Sequence, residues 1–380
     1  MQSTNEEHQW ISERTKTFDS SGIRQVFSLA SKLEKPINLS IGQPDFDVPD
    51  SVKRTLVEAI ENGQNGYALT QGAPPLREKL QSQIDSEFDH RDREVFVSSG
   101  TSGGLVLAMM AMVNPGEEVI FLDPFFVMYE SLVKLVGGIP VAVNSYPDFR
   151  PSIEKIEAAM TPRTKMLVVN SPANPTGVQF SDQEMRQLAE LAKEKGVVLL
   201  SDEIYRLFSY DEPFVSPARY NDQTVVIDGF SKSYAMTGLR LGYVHGPHAI
   251  MEAMLKVQQY TFICAPHPVQ IAGVTALDTD ISQHVDDYRK KRDFMMDRLS
   301  KYYEISPPNG AFYLFPKLPG MNGDEFVARA IENNLLVIPG KIFSHQDTHF
   351  RISYAASDDT LDQGVEILKR MALSASNAGR

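Results

Sequence analysis

Apolar runs alternate with helix-like segments along most of the chain. Runs rich in β-branched residues recur at residues 94–99, 117–123, 139–144, 164–170, 196–202, 224–229 and 240–246. Such runs are typical of strands that are buried on both faces of a sheet. Between two of them, Ser181 and Glu184 form a capping-box pattern, and Gly196 ends the helix that follows. The alternation predicts an α/β fold with a mostly parallel, helix-covered sheet.

The pattern changes after residue 284. A long charged segment, DDYRKKRDFMMDRLSKYY, precedes shorter strand-like runs. We therefore predict a large domain at residues 46–284 and a smaller α+β domain at residues 285–380. Residues 1–45 should form an N-terminal segment that belongs to the small domain, and residues 17–32 within it should cover the ligand site.

Composition and charge exclude several classes of function. Of the 380 residues, 42% are hydrophobic and 23% are charged, as in ordinary globular proteins. The formal net charge of -12 repels phosphate backbones, so we expect no nucleic-acid partner. No signal peptide is recognisable, and no apolar run approaches the ~18 residues of a membrane helix. The single cysteine, Cys264, fits a reducing compartment, so we expect a cytoplasmic protein without a membrane partner.

Residues that could bind a ligand or take part in catalysis follow the predicted strands. In open α/β sheets, ligands bind beyond the carboxyl ends of the strands, so these residues are candidates for one site. They are Gly100, Thr101 and Ser102 in GTSGGL, Phe125 and Phe126 in DPFFVMY, Asn174 in NSPANPTG, Asp202 and Tyr205 in SDEIY, and Lys232 and Arg240 in DGFSKSYAMTGLRLGY.

The stretch GTSGGL has more than one interpretation. Backbone N–H groups at the start of a helix form an anion site that suits a phosphate. Gly100 to Gly104 also match the G-x-S-x-G nucleophile elbow, which makes a serine hydrolase built on Ser102 an alternative. A glycine-rich turn that serves close packing is a third interpretation. The hydrolase would need a histidine further along the chain: His245, His267, His345 or His349.

Lys232, Arg240 and Asp202 suggest a cofactor with a phosphate and a reactive carbonyl. Loss of hydration at a strand end should lower the pKa of Lys232 and expose its neutral, nucleophilic amine. Arg240 stays charged and suits a phosphate. Gly238 would let the chain turn so that Arg240 comes back to that phosphate. Asp202 needs a positive partner if it is buried. Together with an aromatic ring from Phe125 or Phe126 and the side-chain amide of Asn174, these groups fit pyridoxal phosphate.

A metal site is a weaker hypothesis. The stretch HQDTH contains His345 and His349. Two histidines without a third ligand nearby are more often ordinary surface or core residues than metal ligands. We therefore expect no metal site.

The chain resembles the class I/II aminotransferases, which are fold type I enzymes that use pyridoxal phosphate. The stretch GFSKSYAMTGLRLG resembles their lysine signature. The motifs INLSIGQPDF, YALTQGAPPLR, NSPANPTG, SDEIY and FRISYA occur in the family's order over nearly the whole chain. The resemblance implies a large domain with a mostly parallel seven-stranded sheet, which binds pyridoxal phosphate, and a smaller α+β domain. It also implies ping-pong transfer of an amino group between an L-amino acid and a 2-oxo acid.

The resemblance implies a role for each motif residue. Lys232 would form the Schiff base with the cofactor, Asp202 would pair with its ring nitrogen, and Tyr205 and Asn174 would bind its phenolic oxygen. Phe126, rather than the phenylalanine before it, would stack on the ring. The phosphate would be held by Gly100, Thr101, Ser102, Ser231 and Arg240.

The resemblance also implies how substrate and a second subunit are bound. Arg351 would grip the substrate α-carboxylate, with Gly42 and Asn174 beside it. Tyr67 would reach the phosphate in the neighbouring subunit, which implies a homodimer with shared active sites.

The chain departs from the family pattern at two places. Gly229 stands three residues before the lysine, where many members have a serine, so one phosphate hydroxyl would be missing. The segment QYTFICAPHP has no arginine where some aspartate-specific members place one, so an acidic substrate is not implied. The same groups would also serve a C–S lyase that performs β-elimination, which stays an alternative.

Overall fold

The computed structural model describes residues 10–18, 33–90 and 92–378, with side chains described up to residue 375. The segment predicted to cover the site, residues 17–32, lies almost entirely outside the described residues. Its role therefore stays a prediction.

The described residues form short strands at both ends of the chain and longer ones in its middle. The strands are β1 (Ile37–Asn38), β2 (Arg93–Ser98), β3 (Glu118–Asp123), β4 (Ile139–Asn144), β5 (Thr164–Asn170), β6 (Val198–Asp202), β7 (Val225–Gly229), β8 (Gly242–Pro247), β9 (Tyr313–Leu314), β10 (Leu335–Leu336), β11 (Ile338–Pro339) and β12 (Phe350–Ser353).

Helices connect most of these strands. They are α1 (Asp50–Glu61), α2 (Pro74–Glu87), α3 (Gly100–Met112), α4 (Met128–Leu135), α5 (Ile153–Ala159), α6 (Asp182–Lys195), α7 (His248–Tyr260), α8 (His267–Ala276), α9 (Ser282–Leu299), α10 (Gly323–Glu332) and α11 (Asp358–Ala378). Short 3-10 turns lie at Glu13–Lys16, Pro217–Arg219 and Gly340–Ile342. Among the helices described here, none combines the length and apolar character needed to cross a bilayer.

One seven-stranded sheet forms the centre of the molecule, in the order β2–β8–β7–β6–β5–β3–β4. Strands β3 to β7 pair in parallel, and β8 is antiparallel to both of its neighbours. Each of the predicted apolar runs supplies one of these strands, so the prediction of a mostly parallel α/β sheet is confirmed. The last strand begins at Gly242 rather than at residue 240, because Arg240 belongs to the preceding turn.

The helix between β5 and β6 shows why the local prediction succeeded. The Ser181 hydroxyl accepts a hydrogen bond from the Glu184 N–H, and the Glu184 carboxylate accepts one from the Ser181 N–H. Gly196 ends the helix with a φ of 65°, a left-handed conformation that glycine adopts at no steric cost. The capping box and the glycine therefore fix both ends of α6.

A second, smaller group of strands forms beside the large sheet. Strands β11, β12 and β9 make an antiparallel sheet, and β1 pairs in parallel with β10. Leu39, just after β1, is buried in the same apolar cluster as Leu314 and Ile352. Ile204 and Tyr205, from the loop after β6, belong to this cluster too. The cluster thus joins the loop after β6 to the small sheet, while the domain limits at residues 45 and 285 stay a prediction.

Candidate active site

A cavity of about 310 Å³ lies at the carboxyl ends of β6 and β7, between the large sheet and the small one. This volume is at the lower end of the range for small-molecule and cofactor sites. The cavity is lined by Ile41, Gly42, Gln43, Thr101, Ser102, Phe126, Asn170, Asn174, Asp202, Ile204, Tyr205, Ser231, Lys232, Thr237, Arg240, Tyr313 and Arg351. Most of the residues singled out in the sequence are therefore brought together. Gly100 lies directly behind the lining, and Tyr67 lies outside it with 84% of its surface exposed.

Lys232 follows β7 by three residues, and its amine enters the cavity. Its Nζ atom donates a hydrogen bond to the carbonyl oxygen of Gly42 at 2.6 Å. Burial, followed by the nearby charges of Arg351 and Arg240, lowers the pKa of Lys232 to about 8. A neutral amine is therefore accessible near neutral pH, which is the state that a nucleophile or a base requires.

Asp202 ends β6 and is 3% exposed. The Tyr129 hydroxyl donates to its Oδ2 atom at 2.7 Å, and the Ile204 N–H donates to its Oδ1 atom at 3.4 Å. Burial is the main reason why the pKa of Asp202 rises to about 6. No arginine or lysine of the described residues makes an ion pair with this carboxylate, so a cationic ligand atom would find an unpaired partner here.

The start of α3 forms a concave backbone surface beside Arg240. Gly100 opens the helix with a φ of 71°, and a Cβ atom built there would lie 2.6 Å from Arg240 Nη2. A Cβ atom on Gly242 would lie 2.6 Å from the carbonyl carbon of Gly100. The left-handed φ favours glycine at residue 100, and at residue 242 a side chain would push β8 away from the backbone that begins the helix.

The turn that carries Arg240 contains Gly238 and is shaped by left-handed residues on either side of it. Gly238 itself has no left-handed φ and faces open space. Ala235 and Arg240 adopt the left-handed conformation instead, with φ values of 53° and 56°. A non-glycine residue in this region is uncommon and is often found at functional sites. Arg240 Nη1 donates to the Thr237 carbonyl at 2.9 Å, which supports the turn.

The surroundings of Gly229 explain why this position, where the family resemblance implies a serine, has no side chain. A Cβ atom there would lie 3.0 Å from the Cα atom of Gly242 and 3.0 Å from the carbonyl oxygen of Leu241. The close approach of β7 and β8 leaves no room for a side chain without a shift of the backbone. The hydroxyl donors at this end of the cavity come instead from Thr101, Ser102 and other lining residues.

Arg351 lies on β12, lines the cavity and is 2% exposed. Its Nη1 atom donates to Asn174 Oδ1 at 2.9 Å, and its Nη2 atom donates to the Ser40 carbonyl at 2.8 Å. A guanidinium carries five N–H donors, so donors remain for a carboxylate in the cavity. Gly42 lines the cavity as well.

The two phenylalanines after β3 have different surroundings. Phe126 lines the cavity, as the resemblance implies. Phe125 is 6% exposed and packs edge-on against Phe121, with ring centroids 4.8 Å apart. Phe126 is therefore the one that can contact a ligand.

Sequence reasoning missed three residues that contact the predicted ones. Tyr129 donates to Asp202, and Asn170 Nδ2 donates to the Asp202 carbonyl at 3.0 Å. The Tyr313 hydroxyl lies 2.8 Å from the Tyr205 hydroxyl. Tyr129 and Asn170 stand within the quoted motifs DPFFVMY and NSPANPTG, so their position after strands was a usable signal. Tyr313 stands in AFYLFPK, where no such signal distinguishes it from a core residue.

The serine-hydrolase alternative is not supported by the geometry. Ser102 lines the cavity, but no histidine does so among the described residues. The left-handed residue of the elbow is Gly100, whereas a nucleophile elbow strains the serine itself. His245 is instead paired with Arg93, and His349 with the Thr348 hydroxyl. In the ranges that the structure describes, no group of three His, Cys, Asp or Glu side chains could hold a metal ion.

The chain is similar to known proteins over nearly its full length. The family model described as aminotransferase class I and II matches residues 34–368. A putative aminotransferase, YugH, from Bacillus subtilis (strain 168) is 37% identical over 95% of this chain and 98% of its own length. A probable N-acetyl-LL-diaminopimelate aminotransferase from the same organism is 35% identical over 97% of each chain. The solved structure of an aspartate aminotransferase from Thermus thermophilus with maleate has a TM-score of 0.90 and 32% identity, covering 95% of this chain and 99% of that chain.

Proposed function

The chain belongs to the class I and II aminotransferase family, and from this premise we propose that its cavity binds pyridoxal 5′-phosphate beside Lys232. Enzymes of this family transfer an amino group between an amino acid and a 2-oxo acid, and this chain is such an aminotransferase. The observation that carries the cofactor proposal is that Lys232, Asp202 and Arg240 line one cavity.

The cavity residues fit this cofactor in three respects. The glycine-lined start of α3, with Arg240 against it, leaves room for a phosphate where a side chain at residue 100 would not. The buried Asp202 carboxylate has no ion pair with any residue that the structure describes, and a protonated ring nitrogen would supply one. The Lys232 amine has a lowered pKa and can condense with an aldehyde. When bound, the cofactor supplies that aldehyde and a ring that accepts electrons.

Each protein group then has one task in the transfer. Arg351 binds the α-carboxylate of the substrate and orients its Cα–H bond towards Lys232. The neutral Nζ atom of Lys232 takes the proton from Cα and later returns it, as a general base and acid. Asp202 would hold the proton on the ring nitrogen of the cofactor, and Tyr205 and Asn174 would donate hydrogen bonds to its phenolic oxygen.

A donor panel tests this function and its rival. Incubation with alanine and 2-oxoglutarate should release pyruvate and glutamate together, whereas a C–S lyase would release pyruvate from cystathionine without any oxo acid.

The arginines of the cavity predict a weak preference for acidic substrates. Among the described residues, Arg240 and Arg351 are the arginines that line the cavity, and each already has a proposed role, Arg240 at the phosphate and Arg351 at the α-carboxylate. Within the described part of the chain, an acidic side chain therefore finds no further arginine in the cavity. We expect kcat/KM for aspartate to exceed that for alanine by less than about tenfold, the upper value of one uncharged hydrogen bond. A larger preference would contradict the expectation that no further arginine reaches the substrate side chain.

The active sites are proposed to be shared within a homodimer. Tyr67 is 84% exposed, and exposed apolar side chains lie near it: Leu69 at 52%, Tyr260 at 89% and Ile263 at 45%. Gln258 in α7 donates to the Thr70 carbonyl, which joins the turn that carries Tyr67 to the end of this helix. Clustered apolar exposure of this kind is typical of a subunit interface.

Co-expression of two defective chains tests the shared site. Lys232→Ala should be inactive, and Tyr67→Ala should bind the cofactor weakly because it removes a contact to the partner's phosphate. In mixed dimers, one site receives native Lys232 and native Tyr67, so about a quarter of all sites should be restored. The measurement is transamination at a cofactor concentration that limits Tyr67→Ala. Activity no higher than the average of the two separate variants would contradict sharing.

A cytoplasmic location is also proposed. It is supported by the single cysteine, Cys264, which is partly buried and unpaired. Fractionation of the source cells, with the chain detected by antibody, would place it in the cytoplasmic fraction if the proposal holds and elsewhere if it fails.

A further inference from the structure

Tyr313 contacts three of the residues to which a site role is assigned. It lies on β9, is 1% exposed and lines the cavity. Its hydroxyl is 2.8 Å from that of Tyr205, and a Cβ atom built on Gly42 would come within 2.6 Å of the same oxygen. Its ring centroid lies 4.6 Å from the guanidinium carbon of Arg351. Tyr313 thus connects the cofactor side of the cavity with the carboxylate side.

The hydroxyls of Tyr205 and Tyr313 share a single hydrogen bond. Neither hydroxyl has another hydrogen-bond partner among the described residues. Burial raises the pKa of both hydroxyls above the usual value for tyrosine, so both carry a proton at neutral pH. One O–H therefore donates within the pair, and the other is left without an acceptor. The pair is prepared to donate one hydrogen bond to an anionic oxygen in the cavity.

The ring of Tyr313 acts on Arg351. The guanidinium carbon lies over two aromatic rings, 4.6 Å from the centroid of Tyr313 and 4.7 Å from that of Phe343. A planar guanidinium stacks on aromatic faces, so the two rings fix the plane of its N–H donors. The hydrogen bonds to Asn174 and Ser40 lie in that plane and use two N–H groups, so the other N–H groups of the guanidinium remain for a ligand.

We propose that Tyr313 is a positioning residue with two separable actions. Its hydroxyl donates to the Tyr205 oxygen, so that the Tyr205 proton is directed at the phenolic oxygen of the cofactor. Its ring holds the Arg351 guanidinium against Phe343 in the orientation that receives a substrate carboxylate. This inference rests on the proposed function, because it assigns the cofactor to the Tyr205 side and the substrate to Arg351.

Two substitutions separate the hydroxyl from the ring. Tyr313→Phe removes only the hydroxyl, and Tyr313→Leu removes the ring as well. Tyr303→Phe is the matched control: Tyr303 is buried, and its hydroxyl donates to the Leu368 carbonyl at 2.8 Å within the small domain, away from the cavity lining. Binding of pyridoxal phosphate to the cofactor-free chain is measured by equilibrium dialysis. KM and kcat for the amino acid are measured separately, and thermal unfolding is followed for every variant.

The proposal predicts different effects for the two substitutions. Tyr313→Phe should bind the cofactor about fivefold to tenfold more weakly, with the KM for the amino acid unchanged. Tyr313→Leu should show the same weaker cofactor binding and, in addition, a KM raised by about tenfold. Tyr303→Phe should leave both constants at the wild-type value.

Three results would overturn the proposal. They are wild-type cofactor affinity in Tyr313→Phe, an equal loss of affinity in Tyr303→Phe, and an unchanged KM in Tyr313→Leu. Failure of the proposed function looks different, because the wild-type chain itself would then neither bind pyridoxal phosphate nor transfer an amino group.

Discussion

Substitution of Lys232 by alanine is expected to lower kcat/KM for transamination by at least about a thousandfold, the contribution of a positioned general base and nucleophile. Burial lowers the pKa of this amine to about 8, which makes its neutral form available near neutral pH. Alanine removes the amine, together with its hydrogen bond to the Gly42 carbonyl. The fold should persist, because the side chain lines a cavity and is not part of a packed core.

The Lys232 experiment needs a control and a rescue. Lys193→Ala removes an exposed lysine from the last turn of α6 and should leave kcat/KM unchanged. Addition of a small primary amine to Lys232→Ala should restore part of the activity, because the amine can enter the space left by the side chain and move the same proton. Activity of Lys232→Ala close to that of the wild-type chain would exclude the proposed role.

Substitution of Asp202 by asparagine is expected to cost about two to four powers of ten in kcat/KM, as when one partner of a buried ion pair is removed. Asparagine has almost the same shape and can still accept the hydrogen bond from Tyr129. It cannot balance a positive charge on the ring nitrogen. The loss should therefore fall on the chemical step more than on the binding of the amino acid, and steady-state kcat and KM would show this division.

Asp228 offers a matched control for Asp202. Both carboxylates are nearly buried, and burial is the main reason why the pKa of each rises to about 6. Asp228 accepts hydrogen bonds from the Tyr243 hydroxyl and from the Gly229 N–H, and it does not line the cavity. Asp228→Asn should lower the free energy of unfolding without a comparable loss of kcat. If both substitutions reduced kcat equally, the effect would be structural and the role of Asp202 would be refuted.

The sequence predicted the strands and the groups at their ends because both depend on local pattern. Buried parallel strands read as continuous apolar runs, and the residues after them face one edge of the sheet. Lys232, Asp202 and Asn174 could therefore be assigned to one site before any distance was known. The capping box at Ser181 is local as well, and the structure reproduces it.

What the sequence could not predict depends on long-range contact. The pairing of Tyr313 with Tyr205 joins residues 108 positions apart, and nothing in AFYLFPK marks one aromatic residue as part of the cavity. The turn before β8 shows a related limit. The sequence indicates a turn at Gly238, but nothing in it shows that Arg240 takes the left-handed conformation and lies against Gly100. The glycine at residue 229 is explained by another long-range contact, the close approach of Gly242 on the neighbouring strand.

Reductive trapping of the bound cofactor tests the central claim most directly. The wild-type chain is loaded with pyridoxal phosphate and reduced with sodium borohydride, which makes the bond between lysine and cofactor permanent. Proteolysis and mass spectrometry then locate the added group. The account predicts a single modified residue, Lys232, in the stretch SKSYAMTGLR. A chain that carries the cofactor on another lysine, or that retains none after reduction, would contradict it.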